Sequence, residues 1–162
     1  MRVACQIDIS APRDVIWDWI TDPVRQLHYL GGVTRWEVEG ERKRGLGARY
    51  RMLMRVGSAE IGSLVEVVEY KPPGDMAWHS LTGLDQRARW RLRELPNDRT
   101  RVEFRLAYGI AGSGVGGWIA ERVAAPTVRG HLRRSLQQLK RQVEQEQLRK
   151  LAAQRRSARS AA

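Results

Sequence analysis

One cysteine in 162 residues, Cys5, is too few for an internal disulfide and leaves no second thiol for a structural zinc site. The fold must therefore rest on its core, and a reducing, cytoplasmic setting is expected. Long apolar runs are also missing. The longest uncharged stretch, Leu106 to Ala120, has 15 residues. It is rich in glycine and falls short of the roughly 18 to 20 residues that a membrane-spanning helix needs. The opening "MRVACQIDIS" mixes charges with apolar residues and lacks the h-region of a secretory signal, so export is not expected. Imidazoles are scarce: His28, His79 and His131 stand on three different segments without ligand spacing. No metal site is expected, no cofactor is called for, and neither a Ser-His-Asp order nor a carboxylate pair stands out.

Acid is short relative to base, with 18 Asp and Glu against 29 Lys and Arg, a net charge of +11. The excess is uneven. Residues 129–162 hold 10 basic against 2 acidic residues, which leaves 19 against 16 in residues 1–128. A partner drawn by charge alone would meet the C-terminal end, not the body. The remaining composition, 42% hydrophobic and 29% charged, is that of one globular domain. A chain of this length buries roughly 70% of the surface its unfolded form exposes.

The pattern begins with Val3, Cys5, Ile7 and Ile9 alternating with polar partners, a strand with one buried face. Ser10 reads as an N-cap, Pro12 suits a first helical turn, and a short helix ends near Thr21. Pro23 starts a second short helix through about Leu30, closed by Gly31 and Gly32. From residue 33 to 110 the period is two. Turn signals at "RKRGLG", Gly57-Ser58, "KPPGD", Gly83 and "PNDRT" divide this stretch into six strands of an antiparallel meander. The fourth, "EIGSLVEVVEY", has apolar residues in both registers, which leaves its faces open.

After Gly117 the period turns helical, and Leu132, Leu136, Leu139 and Val143 form one apolar stripe. Pro126 is expected to bend or divide this helix near 122–126. The economical packing is a curved seven-stranded antiparallel sheet wrapped around the long C-terminal helix, with two short helices between strands 1 and 2. A domain at 1–145 is expected, followed at 146–162 by a basic helical overhang that frays.

Several segments in this order resemble a known family: "APRDVIWDWITDP" (11–23), Tyr29, "GLGARY" (45–50), "VVEYKPPGDMAW" (67–78), "ARWRL" (88–92), "RTRVEF" (99–104) and "HLRRSLQQLKRQVE" (131–144). Together they are similar to the polyketide cyclase/dehydrase and lipid-transport group of the SRPBCC, or START/Bet v 1-like, superfamily, over about residues 3–145. The resemblance implies an α+β helix-grip fold with a hydrophobic cavity between sheet and C-terminal helix. It does not imply one reaction, because members include binders, transporters and enzymes.

The inward register carries Trp36, Tyr50, Met52, Met54, Trp78, Trp90, Phe104 and Tyr108, with Trp118 at the entry to the long helix. Rings and methionines suit an adaptable apolar pocket, and the hydroxyls of Tyr50, Tyr108 and Ser80 are its expected polar contacts. These ten residues are the candidate ligand-binding set, and no catalytic residue is assigned. His79 should face outward, whereas His131, beside Leu132, can look toward the cavity end. "GSGVGG" (112–117) satisfies GxGxxG but lacks the parallel βαβ unit that a dinucleotide site requires, and its glycines are read as the turn into the long helix.

Arg87, Arg89, Arg91 and Arg93 form a comb on the opposite face, beside Glu103 and Arg105 and on the same side as Arg49, Arg51 and Arg55. Glu103 is placed to pair across strands. No exposed aromatic accompanies the comb, so nucleic acid is not the expected partner. It is read as a solvated back face, with an anion-binding surface as the alternative. The leading expectation is a binder of a small polyketide-like, lipid or isoprenoid molecule, entered by movement near 112–126. A polyketide cyclase or dehydratase is the second. The third is an interaction protein whose basic helix end meets an acidic protein, an anionic membrane in weak peripheral contact, or nucleic acid.

Overall fold

The computed structural model describes residues 2–56, 58–109 and 115–161, the side chains of 56 and 115–125 excepted. In chain order the elements are β1 (Arg2–Ile9), α1 (Arg13–Thr21), α2 (Pro23–Gln26), β2 (Val33–Glu39), β3 (Arg49–Val56), β4 (Ala59–Lys71), β5 (Asp75–Gly83), β6 (Asp85–Leu95), β7 (Arg99–Gly109) and α3 (Val115–Ser160). The strands form one antiparallel sheet in the order β1-β7-β6-β5-β4-β3-β2. β2 to β7 are a meander, and β1 joins its far edge. The two helices that follow β1 therefore carry the chain from one edge of the sheet to the other.

α1 begins differently from the sequence expectation. Pro12 occupies the N-cap position without a side-chain cap, and the Ser10 N–H instead donates to Glu144 Oε1 at 2.9 Å. α2 is one turn, Pro23–Gln26, rather than a helix to Leu30. Asp22 caps it by accepting from the Val24 N–H, and irregular turns follow through Leu30. A Pro at N1 with an Asx cap starts a helix, but no apolar stripe follows to prolong it.

β4 explains why its faces could not be read. Ser63, Val65 and Val67 are buried, but the register shifts between Val67 and Glu69, so Val68 lies outward and Tyr70 returns inward. A second shift falls between Leu64 and Val65, opposite exposed Leu81. Each extra residue flips the alternation beyond it. Gly83 closes the β5–β6 hairpin with φ +82°, and a Cβ there would overlap the Gly62 carbonyl oxygen. Only glycine fits.

α3 runs through Pro126 as one helix of 46 residues, about 69 Å at 1.5 Å per residue. Pro126 does not divide it. Val128, Leu132, Leu136, Leu139 and Val143 are buried against the concave face of the sheet. Lys140 Nζ donates to the Asp8 carbonyl at 2.8 Å, and Glu146 Oε2 accepts from Trp19 Nε1 at 2.7 Å, fastening the helix to β1 and α1. From Leu148 onward every described residue is exposed, yet the helix continues to Ser160 where fraying was expected. The segment is rich in Arg, Lys, Gln, Ala and Leu, all strong helix formers. No helix among the described residues is long and apolar enough to cross a membrane.

Candidate functional site

A cavity lies between the concave sheet face and α3, beneath the turn at Leu30–Gly32. Its wall is assembled from Trp36 of β2, Met52 and Met54 of β3, Trp78 of β5, Phe104 and Leu106 of β7, and Val128 and Leu132 of α3. The period-two alternation of four strands brings these side chains to one face, and the stripe on α3 closes over them. The turn that forms the rim is stapled on both sides. The Gly31 N–H donates to Ser135 Oγ at 2.7 Å, Ser135 Oγ donates to the His131 carbonyl at 2.8 Å, and the Arg55 N–H donates to the Gly32 carbonyl at 2.7 Å.

The volume is small, about 50 Å³. A few waters fit, whereas pockets for drug-sized ligands occupy about 300–1,000 Å³. The expected hollow is thus largely filled by its own wall. Trp36 stacks on Tyr50 at 5.3 Å and meets Trp78 edge-on at 5.8 Å, so three of the rings occupy one another's space.

Among the ten candidate residues, Trp36, Met52, Met54, Trp78 and Phe104 line this cavity together. Tyr50 lies one layer behind Trp36. Its hydroxyl donates to the Lys43 carbonyl at 2.7 Å, away from the cavity, and burial pushes its pKa up to about 12. Ser80 is spent on the backbone of Gln86, accepting from its N–H at 2.9 Å. Trp90 is 2% exposed and packed in the core between Phe104, at 4.1 Å, and Tyr29, at 6.2 Å. Tyr108 borders a separate surface recess with Arg2, Asp85 and Arg87. Trp118 lies outside the described side chains, as does the 112–114 part of the glycine segment and of the expected entrance. The hydroxyls expected to greet a ligand therefore do not meet at the cavity, because Tyr50 and Ser80 find backbone partners elsewhere and Tyr108 borders the separate recess.

The lining also carries polar side chains: Gln86, Ser135, Thr127, Arg55, His131 and the indole of Trp36. Trp36 Nε1 is buried without a hydrogen-bond partner, whereas Gln86 Nε2 donates to Ser63 Oγ at 2.6 Å. His131 lines the rim, half-buried, and a Cβ on Gly32 would stand 3.2 Å from its Nδ1. Burial, and then the neighbouring Arg134 guanidinium, hold the His131 pKa below its usual 6.5, so the ring is neutral at neutral pH. His28 is exposed, and His79 lies on the outer face between Glu66 and Arg87. Among the described residues, no group of three or more His, Cys, Asp or Glu is placed to hold a metal ion. Val128, Leu106 and Ser135 were not singled out from the sequence. Val128 was within reach, since it precedes Leu132 by one helical turn.

A sequence profile described as polyketide cyclase/dehydrase and lipid transport matches residues 1–144. No curated protein matches the chain significantly. Among solved structures, one from Thermus thermophilus superposes with a TM-score of 0.76 at 19% identity, covering 88% of this chain and 97% of that one. The Zhui aromatase/cyclase from a Streptomyces species gives 0.76 at 16% identity, covering 89% and 93%. A START superfamily protein from Mycobacterium smegmatis gives 0.67 at 14% identity, covering 88% and 98%. At these identities the likeness speaks for the helix-grip fold alone.

Proposed function

The chain belongs to the polyketide cyclase/dehydrase and lipid transport family, and on that premise we propose that it binds a small hydrophobic molecule between the sheet and α3. The observation that carries this reading is the unpaired, buried indole N–H of Trp36, a residue of the largely apolar cavity wall. A buried donor left unpaired costs about 1–3 kcal/mol, and a ligand carbonyl or hydroxyl placed there would recover it. The ligand class this favours is a flat or elongated apolar skeleton with an oxygen acceptor, consistent with a polyketide-like, lipid or isoprenoid compound.

Occupancy requires the wall to open, since about 50 Å³ holds no such molecule. Met52 and Met54 are its deformable part: unbranched thioethers change rotamer at little cost and yield to the guest's shape. Driving force comes from removing the ligand's apolar surface from water, about 25 cal/mol per Å². The body to about residue 145 carries this binding, and the basic overhang does not.

The test is native mass spectrometry of the purified full chain for a co-purified small molecule, followed by titration with a polycyclic quinone while indole fluorescence is read. Saturable quenching that weakens at least tenfold in Met54→Trp, which fills the cavity, is expected. No bound molecule together with quenching indifferent to Met54→Trp would overturn the reading.

One observation favours a second reading, a cyclase or dehydratase: a neutral imidazole stands at the cavity rim. On this reading His131, which lines the rim and is neutral at neutral pH, would take a proton from a substrate held against Trp36. In that case His131→Phe would retain ligand and lose turnover, whereas a pure binder would show no turnover to lose.

A further inference from the structure

The outer face of the sheet carries a groove of about 700 Å³ over β5, β6, β7 and β1, far roomier than the internal cavity. The strand register arranges its side chains in two rows. One row crosses His79, Arg87, Ala107 and Arg2, and the next crosses Ala77, Arg89, Arg105 and Ala4. Arg87 and Arg2 thus flank Ala107 at two strand spacings, about 9.6 Å, with no side chain rising between them. Arg89 and Arg105 stand directly opposite each other one row along.

Like charges placed opposite on neighbouring strands destabilise a sheet unless something neutralises them. Farther along the same two strands the device is visible: Arg93 is held by Asp75 and Arg101 by Asp8, each through two hydrogen bonds. In the groove compensation is incomplete. Arg89 reaches back to Glu69, and Arg105 turns to Glu103 on its own strand, not the cross-strand pairing expected for that carboxylate. Among the described residues, Arg87 and Arg2 have no acidic side chain in ion-pair contact. Four guanidiniums less Glu69, Glu103 and Asp85, which shares a recess with Arg2, Arg87 and Ala107, leave a local charge of +1.

We propose that Arg2, Arg87, Arg89 and Arg105 form a binding site for the phosphate group of a small phosphate monoester. A phosphate monoester carries about −1.5 to −2 at neutral pH and is drawn to the excess of guanidiniums. Its three terminal oxygens suit the forked guanidinium geometry. The organic part of the ligand lies on the floor made by Ala4, Ala77 and Ala107. A nucleic acid would find no row of exposed Trp or Phe rings to stack its bases, since Trp78, Trp90 and Phe104 all point inward and are buried. A membrane surface would find a recess walled by arginines instead of a protruding apolar edge.

Calorimetric titration of the full chain at low ionic strength tests this with phenyl phosphate, inorganic phosphate and sulfate as probes, beside phosphatidic acid vesicles and a duplex RNA. Phenyl phosphate should bind with a Kd of about 0.1–1 mM, more tightly than the inorganic ions, and weaken about tenfold in Arg87→Gln. Arg87 has no ion-pair partner to lose among the described residues, so this variant keeps the fold, and an unchanged thermal melt checks that. Replacing Arg155 and Arg156 of the overhang by Gln should change nothing. The proposal falls if phenyl phosphate fails to bind below 5 mM, on the order of ordinary screening contacts. It also falls if Arg87→Gln leaves affinity unchanged, if inorganic sulfate binds as well as phenyl phosphate, or if vesicles or RNA engage these arginines at lower concentration.

Discussion

His131 is the residue on which binding and chemistry divide, and its titration is measurable without a ligand. Its ring is partly desolvated at the cavity rim, and Arg134 lies near on the same helix, so protonation is disfavoured in the native state. The unfolded chain takes up that proton near pH 6.5, before the native chain does. Between the two pKa values the unfolded state binds more protons, and stability therefore falls as pH drops through 6.5 and levels off below the native pKa. The His131 Cε1 proton in an NMR titration should report a midpoint under 6.5. Across that window wild type should lose stability relative to His131→Gln in urea melts at matched pH. A midpoint at or above 6.5 would remove the neutral base from the second functional reading. The same residue illustrates what the sequence leaves legible. Its helical position beside Leu132 places it toward the cavity, whereas the fates of the Tyr50 and Ser80 hydroxyls depended on carbonyls and amides that only the folded loops supply.

At the scale of elements, regular pattern was readable and irregularity was not. The α3 stripe and the alternation of β1, β3, β6 and β7 each follow one period, so their buried faces could be named in advance. β4 carries two register shifts, and no local rule reveals where an extra residue enters a strand. The junction of α1, α2 and α3 also depends on tertiary contact. Glu146, placed by the sequence in the overhang, accepts from buried Trp19 Nε1 and pairs with Arg25 and Lys150. Arg25 in turn lies over the Trp19 ring at 4.8 Å. Lys150, then Trp19 and Arg25, hold the Glu146 carboxyl below the usual carboxylate range. Glu146→Ala leaves the indole N–H unpaired and should cost about 1.5–3 kcal/mol, read as a lower urea midpoint at unchanged slope. Glu146→Gln retains an acceptor and should cost less. Equal losses in both variants would show that charge, rather than the indole contact, fastens the helix.

Over the whole molecule, charge and packing occupy different parts of the chain. Residues 148–162 hold five basic residues, Arg149, Lys150, Arg155, Arg156 and Arg159, and no acidic one. None of that segment's described residues is buried, so removing the charges creates no cavity and strips no core hydrogen bond. Replacing all five by Gln takes the net charge from +11 to 11 − 5 = +6. Thermal stability should then move by no more than about 0.5 kcal/mol, the range of ordinary surface changes, because among the described residues only Lys150 of the five has an acidic partner, Glu146. Retention on a cation exchanger should drop, and quinone quenching by the cavity should be unaltered. Lost quenching in this variant would mean that the overhang folds back on the cavity in solution and takes part in binding, which contradicts a division of labour between a ligand-holding body and a basic extension.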